Sequence, residues 1–163
     1  MNYDIMKKLC IPVWLKDTVK LKNLVNIIAK NEYKSAGDDF GKTSKAEKTA
    51  LWYILLDRKD QLTRLYKQEV TFKKVYELLL NDFSVPKWRT TAEKNALVLM
   101  SKKNYMLSCA FFLLAGNLKD AVSIALDKLQ DPVLAVLIAR LVEKESLTEE
   151  KKEETMLEKL YRE

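Results

Sequence analysis

The sequence contains no histidine, and its 163 residues include only three glycines, three prolines and two cysteines. The lack of histidine excludes Ser-His and Cys-His catalysis, imidazole proton transfer and zinc sites that use histidine. So few turn-forming residues argue against an all-β fold, which needs many tight turns. Two cysteines without a CxxC spacing make no disulfide framework, and we expect buried structural thiols in a reducing cytosolic environment.

Long apolar runs are also missing. The longest nearly uninterrupted one covers residues 133–139, far short of the ~20 residues of a membrane-spanning helix. No secretory signal follows Lys7 and Lys8. The net charge is +6, with the basic excess before residue 109 and an acidic excess after residue 142. We therefore expect a soluble protein or segment, and we interpret the interleaved lysines mainly as a solvated surface.

Apolar residues recur along most of the chain at the spacing of one helix face, most clearly from Leu118 to Leu129. Gly116 is a candidate for a left-handed helix cap. Further helices are predicted around residues 62–66 and 71–80. Helix starts are predicted near Asp17, at Ser44 with Glu47 as a capping box, at Pro86, at Asn104 or Tyr105, at Leu118 and at Asp131-Pro132.

Connections of only a few residues join the helices after residue 85, which favours antiparallel neighbours. The two-helix period lies near that of tetratricopeptide-like repeats. We predict an all-α fold of about 8–9 helices, stacked as antiparallel pairs in an α-solenoid segment, with a compact bundle as the alternative. Residues 1–145 form this segment, with a loop near residues 35–43, and residues 146–163 form a charged terminal helix. Apolar Leu97, Val98 and Met100 predict that the helix starting at Pro86 is buried on more than one side.

No residues are predicted to be catalytic, to bind a cofactor or to hold a metal. Asp38-Asp39 and the pair Asp57 and Asp60 are interpreted as solvated or capping acids. The segment 37–43 ends in Gly-Lys-Thr, but Ala36 stands where a phosphate-binding loop needs glycine. These observations predict that the chain is not an enzyme and has no small-molecule substrate.

One cluster combines basic and aromatic side chains on a single predicted helix: Lys87, Trp88, Arg89 and Lys94. We name these four residues as a candidate protein-binding site. The alternative is a basic nucleic-acid-binding module that grips phosphates and stacks a base on Trp88. Because lysines near helix ends and a tryptophan at the head of an apolar face also have structural uses, nucleic acid is the less favoured partner.

Several segments together resemble the helical region of the rabconnectin alpha and DmX-like family, whose fungal member is the large subunit of the RAVE complex. The similarity spans about residues 11–145 and includes Trp14, where the family carries an aromatic segment. It is most specific at residues 111–116 and at Lys119-Asp120-Ala121. The segments are ALWYILL at 50–56, NDF at 81–83, Trp88-Arg89, EKNA at 93–96 and SCAFFLLAGNLKDAVSIALDKLQDPVLAVLIARLVE at 108–143.

This resemblance implies a non-enzymatic scaffold or adaptor that supports regulated assembly of the vacuolar proton ATPase, and hence vesicle acidification. The implied partners are peripheral-sector subunits of that ATPase and the companion subunits of RAVE or rabconnectin. The implied location is the cytoplasm, with peripheral and indirect recruitment to endosomal, vacuolar or vesicle membranes. The family's WD-type propellers are missing from these 163 residues, so functions of those parts are not carried over.

Overall fold

A computed structural model describes residues 1–37 and 44–146. In these ranges the backbone forms ten α-helices, one short 3-10 helix and no strand, which confirms the all-α prediction. The helices are α1 (Tyr3–Lys8), α2 (Ile11–Trp14), α3 (Thr18–Gly37), α4 (Lys45–Leu55), α5 (Lys59–Lys67), α6 (Lys73–Leu79), α7 (Pro86–Ser101), α8 (Tyr105–Leu114), α9 (Leu118–Asp127) and α10 (Pro132–Ser146), and the 3-10 helix is Val70–Phe72.

Eight of these helices correspond to predicted ones, whereas α1 and α2 were not predicted because they are too short to show a helical period. The predicted loop near residues 35–43 begins later than expected, since α3 continues to Gly37. Residues 38–43 lie outside the described residues, and so does the predicted terminal helix at 146–163 except for Ser146, which ends α10. The division of the chain at residue 145 therefore stays a prediction.

Polar side chains cap two helices at the starts that the sequence predicts. Asp17 Oδ1 accepts hydrogen bonds from the amides of Val19 and Lys20 at 3.0 and 3.2 Å. Asp131 Oδ1 accepts from the Leu134 amide at 3.0 Å. Each carboxylate satisfies amides that have no partner inside the helix, which fixes the first turn.

The capping box at α4 differs from the prediction in its second half. Ser44 Oγ accepts from the Glu47 amide at 3.0 Å, as expected. The other capping carboxylate comes from Glu69, whose Oε1 accepts from the Ala46 amide at 3.1 Å and whose Oε2 accepts from the Ser44 hydroxyl. Burial and the nearby Glu69 charge raise the pKa of Glu47. Glu69, which lies 25 positions after Ser44, thus joins the start of α4 to the end of α5.

Three helix ends share one turn geometry. Asp57, Lys103 and Gly116 have φ values of 56°, 62° and 75°, in the left-handed region. In each case the next amide donates to a carbonyl five positions earlier, as Asn104 does to Leu99 at 3.0 Å and Asn117 to Phe112 at 2.9 Å. This is the Schellman motif, which reverses the chain within a few residues. It makes α4 and α5, α7 and α8, and α8 and α9 antiparallel neighbours.

These turns predict opposite effects on stability when glycine is introduced at position 103 and when the glycine at position 116 is replaced. Lys103→Gly should raise the free energy of unfolding by about 0.5–1 kcal/mol, because only glycine adopts positive φ without strain. Gly116→Ala should lower the free energy of unfolding by about 1 kcal/mol for the same reason. Thermal unfolding followed by circular dichroism checks both. Equal signs for the two variants would contradict the assigned turns.

Neighbouring helices pack in pairs along the chain, as a solenoid-like segment requires. Two further contacts join helices that are far apart in the sequence: α4 packs against α8, and α10 packs against α2. Leu134, Leu137 and Ile138 of α10 are fully buried, so α10 is largely enclosed by its neighbours. None of the described helices is both long and apolar enough to cross a bilayer.

Arg140 joins α10 to the end of α2. Its guanidinium donates to the carbonyl oxygens of Pro12 at 2.9 Å and Lys16 at 3.1 Å, and also to that of Leu15. Positive charge is favourable there because these are carbonyls at a helix C-terminus. The three acceptors of this guanidinium are thus backbone carbonyls. Nearby, the Tyr3 hydroxyl donates to Asp131 Oδ2 at 2.6 Å, which ties α1 to the start of α10.

Candidate functional site

The helix that carries the predicted site, α7, packs mainly on one side. Among the described residues, α8 is the helix with which it makes extensive contact. Ala92 and Ala96 are buried at that interface, and Trp88 and Leu99 flank them as half-buried residues. The buried Ser108 hydroxyl donates to the Ala96 carbonyl at 2.8 Å. Small side chains let the two helices approach closely, so the inner face of α7 is structural.

The opposite face of α7 corrects one prediction. We expected Leu97 and Val98 to be buried, but each is 51% exposed. The apolar pattern was interpreted as a helix with neighbours on two sides, whereas the described chain places no extensive second neighbour there. Exposed leucine and valine side by side on an ordered helix leave apolar surface in water.

The four predicted binding residues do not form one cluster. Lys87 and Lys94 are exposed, and Lys87 Nζ lies 4.8 Å from the ring centroid of its neighbour Trp88. Arg89 Nε donates to the Phe83 carbonyl at 2.7 Å, so its guanidinium is held against the loop before α7. Helical spacing places Lys94 on the same side as Leu97 and away from Arg89. Their role in protein binding stays a prediction.

A groove borders the exposed face of α7, with a volume of about 250 Å³ between α7, α8 and α9. Leu97, Met100 and Ile124 contribute apolar surface, and Phe112 adds further apolar surface from α8. The polar residues that line the groove come from α9 and the residue that caps its C-terminus: Asp120, Ser123, Asp127 and Lys128. Sequence reasoning missed this groove because its residues are spread from 97 to 128, and only packing brings them together.

A larger cavity, of about 490 Å³, lies between α1, α3 and α4. Its polar side chains include Glu32, Glu47 and Lys48. The Lys48 ammonium lies 3.9 Å from Glu32 and donates to the Ser35 hydroxyl at 3.1 Å, so its charge is used within the chain. Side chains that satisfy one another in this way are typical of a structural polar cluster.

The remaining candidates for chemistry are separated in the structure. Cys109 is buried, as predicted, and burial raises the pKa of its thiol to about 12. Cys10 is exposed, contrary to the prediction, because it occupies a left-handed turn between α1 and α2. Asp57 ends α4 in a left-handed turn, and Asp60 lies in the first turn of α5. Among the described residues, no group of His, Cys, Asp and Glu is arranged to hold a metal ion.

A protein-family model described as RAVE protein 1 C terminal matches residues 1–162. The chain belongs to this family. That membership confirms the resemblance drawn from the sequence segments. The match extends over all the described helices, including α1 and α2, which lie before or at the edge of the predicted span.

Three relatives illustrate how members of this family are named. The chain is 35% identical over 136 residues to regulator of V-ATPase in vacuolar membrane protein 1 of Saccharomyces cerevisiae, and the match covers 82% of the chain and 10% of the relative. It is 31% identical over 144 residues to the Schizosaccharomyces pombe protein of the same name, covering 86% of the chain and 11% of the relative. It is 33% identical over 132 residues to human DmX-like protein 1, covering 81% of the chain and 4% of the relative. The chain thus spans about a tenth or less of each.

Proposed function

We propose that this chain is a non-enzymatic helical scaffold segment that supports regulated assembly of the vacuolar proton ATPase through protein–protein contacts. Two relatives are named as regulators of V-ATPase in the vacuolar membrane, which supports a regulatory role toward that pump. The proposed partners are its peripheral-sector subunits and companion subunits of the RAVE complex. The proposed location is cytoplasmic, with peripheral recruitment to vacuolar, endosomal or vesicle membranes.

The observation that carries the scaffold mechanism is the exposed face of α7 and the groove beside it. An apolar strip bordered by charged residues is the form of surface into which an amphipathic helix docks. Leu97 and Val98 would contact the apolar side of such a helix, while Asp120 and Asp127 of the groove would favour basic residues on its flank. Lys94, on the same side of α7, adds a positive charge to the rim.

Nucleic-acid binding has less support from the geometry. The Lys87 ammonium lies over the Trp88 ring, and Trp88 is half-buried against the core. Arg89 is engaged with the Phe83 carbonyl. A stacking site needs a free aromatic face beside unengaged basic groups, and this arrangement uses both within the chain.

Replacing Leu97 and Val98 together with serine should reduce capture of the ATPase peripheral sector and RAVE companions by about tenfold or more. The measurement is quantitative copurification from native lysate with the tagged chain. Because both side chains are exposed, the variant should keep its helical circular dichroism and melting temperature.

The matched control is Val70→Ser with Leu80→Ser, since these side chains are also exposed and lie outside α7. This control should leave capture unchanged. Undiminished capture by the α7 variant would show that partners do not bind through this face of α7. Absence of every ATPase and RAVE subunit from the wild-type sample would contradict the proposed partners.

A further inference from the structure

A second exposed apolar surface lies on α1 and α2. We define the N-terminal patch as Ile5, Leu9, Val13 and Trp14, which are 44%, 56%, 44% and 59% exposed. Ile5 and Leu9 are one helical turn apart, and the Trp14 indole N–H donates to the Leu9 carbonyl at 2.8 Å. The indole N–H therefore reaches the backbone of Leu9, one helical turn from Ile5.

The patch is held rigidly. Below it, Met6 and Ile11 are buried in the core. On the α2 side, Arg140 binds the carbonyls of Pro12, Leu15 and Lys16. An exposed tryptophan on an anchored turn has a fixed position, so the cost of ordering it on binding is small.

The polar group of Trp14 is already satisfied. Because its N–H donates to a carbonyl of the same chain, the ring can leave water for an apolar medium without an unpaired donor. This property suits contact with hydrocarbon, where no partner can complete a missing hydrogen bond.

The segment that carries the patch has more positive than negative side chains. Lys8, Lys16 and Lys20 are exposed, and none has a side-chain partner among the described residues. Lys7 is paired with Asp131 at 3.5 Å and is not counted. The acids in these first twenty residues are Asp4 and Asp17. Asp17 caps α3, and Asp4 lines the larger cavity described above. With four lysines against these two acids, the first twenty residues carry a net positive charge.

We propose that the N-terminal patch binds an anionic lipid bilayer directly, with Trp14 and Leu9 at the headgroup boundary and the lysines on acidic headgroups. Tryptophan with aliphatic side chains and flanking lysines is the composition of an interfacial membrane contact. The excess of lysines near the patch favours a membrane with anionic headgroups over a neutral one. This contact goes beyond the protein-mediated recruitment implied by the resemblance, and it does not depend on the α7 face.

The test is sedimentation of the full chain with phosphatidylcholine vesicles that contain about one-third phosphatidylserine, compared with pure phosphatidylcholine. We expect clear binding to the anionic vesicles, weakened by salt. Trp14→Ser should reduce the partition constant by about tenfold, and Lys8→Glu with Lys16→Glu should do the same.

Two controls separate the patch from general properties of a basic chain. Val70→Ser removes an exposed apolar side chain elsewhere, and Lys74→Glu reverses an exposed charge elsewhere. Both should bind like the wild type. Equal binding to both vesicle types, or undiminished binding by Trp14→Ser, would overturn the proposal. So would vesicle-free self-association that Trp14→Ser abolishes, since the patch would then be a protein interface.

Discussion

Replacing Arg140 with methionine should lower the free energy of unfolding by about 1.5–3 kcal/mol. Methionine fills much of the same volume but donates no hydrogen bond, so three carbonyls at the end of α2 lose their charged partner. A buried carbonyl without a partner costs most of its desolvation free energy. Because these bonds join residues about 125 positions apart, the loss should separate the N-terminal helices from α10.

Arg140→Lys is the informative control. It keeps the positive charge at the helix C-terminus, but an ammonium cannot reproduce the planar arrangement of donors that reaches three carbonyls. Urea unfolding should therefore place this variant between the wild type and Arg140→Met. If Arg140→Met were as stable as the wild type, the packing of α10 against α2 would not depend on this side chain.

Leu137→Ala should cost about 2–5 kcal/mol of unfolding free energy, because Leu137 is fully buried in α10 and its removal leaves a cavity. The same exchange at Leu97, which is half-exposed on α7, should change stability by no more than about 0.5 kcal/mol. Chemical unfolding of the two variants side by side measures the difference.

The comparison of these two leucines distinguishes the core from the candidate interface. A large loss of stability in Leu97→Ala would show that Leu97 is a packing residue, as its sequence pattern alone suggested. A small loss, together with weaker partner capture by the α7 variant, would assign Leu97 to binding.

Local signals in the sequence predicted most helix starts between α3 and α10. Asp131-Pro132 and Pro86 mark helix starts because capping and proline act within a single turn. Gly116 marks a helix end for the same local reason. Lys103 occupies the same geometry with an unfavourable residue type, so its turn could not be predicted from composition.

Long-range relations could not be predicted in this way. Nothing near Glu69 indicates that it caps α4, and nothing near Arg140 indicates that its partners are carbonyls of α2. The apolar face at Leu97 and Val98 has the same periodicity whether a neighbouring helix covers it or not. The candidate interface therefore became visible only when the packing of α7 was known.

Hydrogen–deuterium exchange of the chain, alone and with the purified ATPase peripheral sector and RAVE companions, tests the central claim most directly. The account predicts slower exchange in the second half of α7 and in α9 on complex formation, with little change in α5 and α6. Slower exchange confined to α5 and α6, or no change anywhere in a complex that forms, would contradict it.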